Sequence, residues 1–249
     1  PHADSGAQAI IEGFQTVLNG KAQAVLAGGV SEKISPFSMA RSLLNGTLNP
    51  SCVKGEQACS PFGANRNGTV LGEGCGIVVI ERHSSALKRG VVPLIAITGY
   101  GYSFEVEDNS LEPTTNAIAL AMRRAINKSG LTPQDVDVII AHGDATVRGD
   151  SNEIKAINAV FEKNIDTICV YSSKGAIGNL LAGAQAADII IAISMIETGI
   201  IPPNLTAELD KRAGFSLITE PMKLNPANIL INSRSSEGQC VSFIIQPVS

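Results

Sequence analysis

The sequence has no tryptophan, only three histidines and few aromatic residues, which make up 4% of its 249 positions. Charged residues are also scarce at 17%, and the net charge is −4. A weakly acidic chain argues against the basic surface that nucleic acids or anionic membranes attract. Apolar residues reach 44%, so the composition indicates a core of Ala, Ile, Val and Leu rather than of aromatic rings.

The cysteines lack the spacing of a metal site, because none forms a CxxC pair or a Cys/His ligand pattern. An odd, scattered set predicts reduced thiols and a cytoplasmic protein. A free cysteine is typically a small buried apolar residue. The five are Cys52, Cys59, Cys75, Cys169 and Cys240.

Long hydrophobic runs are equally scarce. The one membrane candidate, Leu180–Ile196, carries Gln185, Asp188 and Ser194. A membrane-spanning helix needs about 20 predominantly apolar residues. The segment therefore predicts a core helix of an α/β protein.

Strand-like and helix-like segments alternate along the chain, which is typical of layered α/β proteins. A new strand–helix series begins near Arg89–Pro93, which predicts two similar half-domains, residues 1–90 and 91–249. Apolar stripes, glycine stops and prolines predict helices at 4–19, 37–44, 83–89, 114–129, 152–161 and 180–196. Strands are predicted at 22–27, 77–81, 94–102, 136–141, 168–171, 229–231 and 241–245.

The segment Ser172–Asn179, which we call the glycine corner, lies between a buried strand and the long apolar helix. A turn before a helix start gathers free backbone N–H groups and small polar side chains. Lys174 adds a cation, and Asn179 is a residue type that caps helices. The pattern indicates a candidate catalytic corner. The cluster Gly72–Gly76 predicts no phosphate site, because it enters a strand rather than a helix.

Several ordered motifs run along the whole chain. They are Asp4–Ile10 with Ala24–Gly29, Pro61-Phe62 with Asn67–Gly74, His142-Gly143 with Thr146 and Gly149-Asp150, Ser173-Lys174 with Ile177-Gly178, and Ile201–Leu205. In this order and spacing they resemble the β-ketoacyl synthases. The resemblance implies the thiolase-like layered αβαβα fold, with the C-terminal half complete and the N-terminal half only partial.

The resemblance also implies a chemistry, the decarboxylative Claisen condensation. A cysteine carries the acyl chain as a thioester. Two histidines assist loss of CO₂ from malonyl on an acyl carrier protein, and backbone N–H groups of a glycine-rich loop hold the oxyanion. The family needs no metal and no organic cofactor for this reaction, so none is expected here.

Compared with that machinery, this sequence keeps one histidine as His142 and the lysine as Lys174. The cysteine position is Ala3, which has no nucleophilic atom, and the second histidine position is Asn179, which cannot shuttle a proton near pH 7. Glu237 stands in the altered glycine-rich loop, where it places a carboxylate. The catalytic candidates are therefore remnants, His142 and Lys174, beside two lost positions.

These departures predict a catalytically degenerate ketosynthase-like subunit, of the kind called a chain-length factor in type II polyketide synthases. Its expected partners are an active ketosynthase and an acyl carrier protein. Here His142 is expected to be a structural hydrogen-bonding residue, and Lys174 to fix its loop through Glu153 or a carbonyl.

Two alternatives remain open. The chain could be an active decarboxylase or condensing enzyme with a replacement nucleophile, for which Cys240 in the altered loop is the first choice among the cysteines. It could also be the C-terminal piece of a longer subunit, because it begins at Pro1 and runs straight into a helix pattern. In that case a separate N-terminal fragment of the same subunit is a further expected partner.

Overall fold

Helices and strands alternate along the chain, as the sequence predicts. The structure is a computed structural model that describes residues 3–51, 58–106, 112–206 and 208–248. Its helices are α1 Ser5–Leu18, α2 Pro36–Leu44, α3 His83–Lys88, α4 Thr115–Lys128, α5 Val147–Phe161, α6 Lys174–Ile177 and α7 Ala184–Thr198. Its strands are β1 Ala24–Ser31, β2 Gly74–Glu81, β3 Ile95–Phe104, β4 Val138–Ile140, β5 Cys169–Tyr171, β6 Ile200–Ile201, β7 Ser216–Leu217, β8 Met222–Lys223, β9 Ile229–Arg234 and β10 Gln239–Pro247.

A six-stranded sheet in the order β3-β10-β9-β4-β5-β7 organises the fold. Strands β9, β4, β5 and β7 are mutually parallel, whereas β10 runs antiparallel to both β3 and β9. Because parallel strands end at the same edge, the segments that follow β4, β5 and β9 meet there. That edge carries the candidate site.

The sheet is covered on both faces, which confirms the predicted α/β layering. Successive side chains of a strand point to opposite faces, so each face of the sheet has its own hydrophobic core. Ile139 packs with α4 and α5, whereas Val138 and Ile140 pack with α1 and α7. Beyond α1 and α7 lies a second, two-stranded sheet formed by β1 and β2. The order of layers is therefore helices, sheet, helices, sheet.

The two-stranded sheet shows why glycines follow the predicted strand 22–27. β1 does not stop at Gly28-Gly29 but continues to Ser31, paired with β2 throughout. A Cβ at Gly28 would lie 2.0 Å from the carbonyl oxygen of Gly76, so the glycine permits the close approach of the two strands. One face of this sheet packs on α1 and α7, whereas Leu26 and Ile77 on the other face are exposed.

Three boundaries near the site differ from the prediction. α5 begins at Val147 rather than at residue 152, so Asp150 belongs to a helix and not to a loop. The long apolar helix begins at Ala184, after a 3-10 turn at Leu181–Gly183, and its cap position is Gly183 rather than Asn179. β9 extends to Arg234, because its pairing with β10 continues past the predicted end. The division into half-domains 1–90 and 91–249 stays a prediction.

The segment Leu181–Thr198 is long and apolar enough to cross a membrane by length and composition alone. Half of it is buried, and Ala186, Ile189, Ala192 and Met195 belong to the core between the two sheets. These contacts are those of a core helix, which agrees with the prediction from Gln185 and Asp188. The cytoplasmic location stays a prediction.

Candidate functional site

The loop after β4 brings His142 to the parallel edge of the large sheet, and Glu153 of α5 holds the loop in place. The backbone N–H groups of His142 and Gly143 donate to the two carboxylate oxygens of Glu153, at 2.8 and 2.9 Å. Asn232 of β9 donates to the same carboxylate at 2.6 Å. Glu153 is fully buried, so this carboxylate fixes the loop to the helix and to the neighbouring strand.

Asp150, one turn earlier in α5, ties a second loop to the same point. Its carboxylate accepts the backbone N–H of Phe62 at 2.8 Å and that of Asp144 at 3.0 Å. The motif Gly149-Asp150 thus joins the Pro61-Phe62 motif to the His142 loop. Burial and the neighbouring charge of Asp144 raise the pKa of Asp150 to about 8.

The imidazole of His142 is already engaged within the protein. Its Nδ1 accepts the backbone N–H of Arg234 at 3.3 Å, and its Nε2 lies 3.6 Å from the Asp144 carboxylate. Burial, together with the positive charges of Lys174 and Arg234, lowers the pKa of His142 to about 3. The ring is therefore neutral at pH 7, with its proton on Nε2 because Nδ1 accepts. This geometry supports the expected structural role.

Arg234 is the functional-site residue that the sequence reasoning missed. Its side chain is 1% exposed and faces four carboxylates, which with it form what we call the arginine cluster. The nitrogen–oxygen distances are 2.7 Å to Glu112, 2.6 Å to Asp144, 3.4 Å to Asp150 and 3.7 Å to Glu153. An arginine at the end of a strand of otherwise uncharged residues was the available signal.

The arginine cluster sets the charges around the imidazole. Burial would raise the pKa of Asp144, but Arg234 and His142 outweigh it and hold the pKa well below its usual range. Burial opposes the charge of Arg234, but Asp144 and Glu112 raise its pKa. A Cβ at Gly149 would lie 2.2 Å from the guanidinium, so this glycine leaves the space that Arg234 occupies. The described residues contain no grouping of three or more His, Cys, Asp or Glu arranged for a metal ion.

Lys174 stands at the start of α6 and is buried, with 1% of its surface exposed. The expected contact of Lys174 with Glu153 or a carbonyl is wrong, because no described residue forms a hydrogen bond with Lys174 Nζ. Its charge nevertheless acts on its surroundings, since it opposes protonation of His142 and partly offsets the effect of burial on Asp188. The carboxyl group of Asp188 accepts a hydrogen bond from Ser173 Oγ at 2.6 Å.

Asn179 joins the glycine corner to the glycine-rich segment before β2. Its backbone N–H donates to the carbonyl of Val70 at 2.7 Å, and its carbonyl accepts from the N–H of Gly72 at 3.0 Å. Its side-chain oxygen accepts the N–H of Leu181 at 3.0 Å. Asn179 thus supports the 3-10 turn before α7 and is not the cap of that helix. These three bonds hold backbone segments together.

Ala3, the residue predicted to stand at the family's nucleophile position, precedes α1 and is half-buried. The first turns of α1 contact the strand after the altered loop, because Gln8 donates to Gln239 at 3.0 Å. Glu237 lies half-buried in the turn between β9 and β10. The structure therefore joins the first turns of α1 to the start of β10, and it joins His142 to Arg234 at the end of β9.

The cysteines offer no activated replacement nucleophile among the described residues. Cys59, Cys169 and Cys240 are buried, and burial raises the pKa of Cys59 to about 11 and that of Cys240 to about 12. Burial also raises the pKa of Cys169. Because the thiolate is the nucleophile, these shifts make the three thiols less reactive. Cys75 is exposed on β2, and Cys52 lies outside the described residues.

Alkylation should separate these thiols. With iodoacetamide at pH 8, we expect modification of Cys75 to finish before Cys59, Cys169 or Cys240 react measurably, because those three are buried and protonated. Peptide mapping by mass spectrometry reads each site, and unfolding in urea provides the fully reactive reference. Modification of native Cys240 at the rate of Cys75 would contradict this.

Known proteins with similar sequences belong to the family that the motifs resemble. The profile of the β-ketoacyl synthase N-terminal domain matches residues 3–86, and that of the C-terminal domain matches residues 94–208. A mitochondrial 3-oxoacyl-[acyl-carrier-protein] synthase of Arabidopsis thaliana is 32% identical over 98% of this chain and 54% of its own length. Nodulation protein E of Rhizobium leguminosarum bv. trifolii is 33% identical over 80% of this chain and 48% of its own length.

Solved structures show the same fold. The ishigamide ketosynthase/chain length factor superposes with a TM-score of 0.89 and 26% identity, covering 98% of this chain and 59% of that chain. A type II polyketide synthase ketosynthase, solved in complex with its acyl carrier protein, gives a TM-score of 0.94 at 25% identity, covering 100% of this chain and 62% of that chain. The chain spans about half the length of the curated relatives it matches. On sequence and structure together, it belongs to the β-ketoacyl synthase family, with a thiolase-like fold.

Proposed function

We propose that the chain acts in acyl or polyketide chain building as a ketosynthase-like subunit that does not perform the condensation itself. The observation that carries this proposal is Ala3 at the nucleophile position, with no activated thiol among the described residues to replace it. A condensing enzyme must hold the acyl chain covalently. A subunit without such a group needs a partner that has one.

The environment of His142 supports the same proposal. Its Nδ1 accepts a backbone N–H, and its Nε2 faces Asp144, so neither nitrogen is a free base. The second histidine position, Asn179, bonds three backbone groups and carries no proton that it can exchange near pH 7. The site therefore retains the architecture of a ketosynthase without its proton-handling pair.

The structural neighbours suggest which partners to propose for this chain. One structural neighbour is a ketosynthase/chain length factor, and another was solved with its acyl carrier protein. We propose that the chain pairs with an active ketosynthase, that an acyl carrier protein delivers the growing chain to this pair, and that the subunit shapes the cavity in which the chain extends. This role corresponds to that of a chain-length factor.

Three assays on the purified protein test the proposal. Incubation with an acyl-carrier-protein thioester should leave its intact mass unchanged, malonyl-acyl carrier protein should release no CO₂, and no elongated product should form. An active ketosynthase treated identically provides the positive control for all three assays. An acyl adduct on any cysteine, or elongation at a ketosynthase's rate, would instead establish a condensing enzyme with a non-standard nucleophile. Adding a candidate partner ketosynthase should yield a heteromeric complex and product.

A further inference from the structure

The two-stranded sheet has a face, opposite α1 and α7, that is apolar and open to solvent. Leu26 of β1 pairs with Val79 of β2 on this side, and they are 72% and 63% exposed. Val30 and Ile77 extend the same side and are 72% and 65% exposed. A strand that faces water usually alternates apolar and polar residues, whereas a strand buried on both sides is a continuous apolar run. β1 and β2 are such runs, so this side, which we call the outer face, has the composition of a covered surface.

Helix α2 shows the reverse of the usual amphipathic arrangement. None of its nine residues is buried. The helical period places Phe37, Leu43 and Leu44 on one side, where they are 79%, 50% and 88% exposed. The opposite side carries Ser38 and Ser42, which are half-buried. A helix this short obtains most of its stability from packing an apolar side. The apolar side of α2, which we call the helix stripe, faces solvent instead.

The outer face and the helix stripe match in length, width and polarity. Nine helical residues extend over about 13 Å, and the strand from Leu26 to Val30 extends over about the same distance. Two strands about 4.8 Å apart present a surface that one helix about 10 Å wide covers. The residues named on the two surfaces are uncharged, so their contact desolvates no ion. Helices already cover both sides of the large sheet in this protein.

We propose that a second copy of this chain covers the outer face. Helix α2 of each copy packs its helix stripe on β1 and β2 of the other copy, so that a two-fold axis relates two identical contacts. The chain itself carries both complementary surfaces, and α2 does not cover the outer face of its own copy, because both remain exposed. The inference goes beyond the proposed function and does not depend on it, since it requires neither an acyl group nor a ketosynthase.

Size-exclusion chromatography with light scattering tests the proposal on the whole 249-residue protein. The unmodified protein should elute with twice the 25.9 kDa mass of one chain. We expect a Kd of about 10 µM or lower, within the range of small apolar interfaces. Leu44→Lys in the helix stripe and Ile77→Lys in the outer face should each raise the Kd about tenfold or more, because each places an ammonium group in the contact. The matched control L120K alters an exposed leucine of α4, across the large sheet, and should stay dimeric.

Mixing the two variants tests whether the helix stripe contacts the outer face. A pair of one L44K copy and one I77K copy retains one intact contact, in which α2 of the I77K copy packs on the outer face of the L44K copy. Sedimentation equilibrium should therefore show tighter association in the mixture than in either variant alone. An interface formed by two outer faces, or by two α2 helices, would gain nothing from mixing.

Cys75 provides a second readout that does not depend on mass. It lies at one end of the outer face, opposite Val30, and is exposed in the single chain. Its alkylation by iodoacetamide should slow several-fold when the concentration of the unmodified protein rises above the Kd, and it should not slow in L44K. Because the dimer dissociates reversibly, Cys75 should still react before the buried thiols.

Circular dichroism and urea midpoints establish that each variant is folded, which is expected because the replaced side chains are exposed. Three results would overturn the proposal. The first is a monomeric unmodified protein at about 100 µM, where a micromolar dimer is mostly associated. The second is a dimer that persists in folded L44K or in folded I77K. The third is a mixture of the two variants that associates no more tightly than either variant alone.

Discussion

Replacing Arg234 with methionine is expected to lower the free energy of unfolding by about 3–5 kcal/mol at pH 7. The reason lies in the arginine cluster, where one buried guanidinium faces Glu112, Asp144, Asp150 and Glu153. Methionine fills a similar volume but leaves the ionised carboxylate of Asp144, whose pKa lies well below its usual range, without its cation. Removing one partner of a buried charge network costs more than the network itself contributes, because the remaining charges stay desolvated.

Urea denaturation monitored by circular dichroism measures this loss, and Arg212 provides the matched control. Arg212 also pairs with an aspartate, Asp210, but its side chain is 63% exposed. Its replacement by methionine should cost about 1 kcal/mol or less, because water screens the pair. Equal losses in R234M and R212M would contradict the cluster as the source of the effect.

A double variant tests whether the loss arises from unpaired charge. In a D144N background the R234M change should cost about 1–3 kcal/mol less than it does alone, since one of the abandoned carboxylates is already neutral. Strictly additive losses would mean that the methionine acts through packing. That outcome would remove the electrostatic explanation for the neutral state of the neighbouring imidazole.

Acid is expected to destabilise the protein through His142. Burial and the charges of Lys174 and Arg234 lower the pKa of His142 from 6.5 to about 3 in the folded protein. Below about pH 6.5 the unfolded chain therefore binds a proton that the folded protein does not. Stability then falls with decreasing pH by up to about 1.4 kcal/mol per unit, which amounts to roughly 2 kcal/mol between pH 6.5 and 4.5.

Comparison with a His142→Asn variant isolates this contribution. Asn can accept the backbone N–H of Arg234 but does not titrate, and the surrounding carboxylates titrate in both proteins. The difference in unfolding free energy between the two proteins should therefore shrink as the pH falls from 7 to 4.5. Exposed His83 provides the control, since H83Q should leave the pH profile of the unmodified protein unchanged. A constant difference between the unmodified protein and H142N would show that the imidazole titrates normally.

Much of the fold was accessible from local patterns. The helix predicted at 114–129 forms as α4, because Ile118, Met122 and Ile126 fall on one face and Thr114 accepts the N–H of Ala117 at its start. The boundaries that failed lie where tertiary contacts override local signals. β9 continues to Arg234 because its pairing with β10 and the carboxylates around the arginine stabilise an extended charged residue that periodicity alone would place in a loop.

In the candidate site, too, residue positions could be predicted from the sequence, whereas their contacts could not. Motif order alone predicted the site positions Ala3, His142, Lys174 and Asn179, because each depends on the identity of one residue at a fixed position, and these assignments stay predictions. The hydrogen-bond partner of each side chain could not be predicted from the sequence. Arg234, for example, is 92 residues from His142, and the two meet only because β4 and β9 pair in parallel. The sequence misassigned Lys174 to Glu153 for the same reason.

The glycine corner shows both contributions. The sequence by itself determined that the corner exists between a strand and a helix, that it holds a lysine, and that it ends in an asparagine. Only the tertiary structure decided that Asn179 bonds Val70 and Gly72, that His142 is held neutral, and that Lys174 Nζ is buried without a hydrogen-bond partner among the described residues. Residue identity fixes which groups are present, whereas burial and the charges brought close by the sheet fix their protonation and their partners.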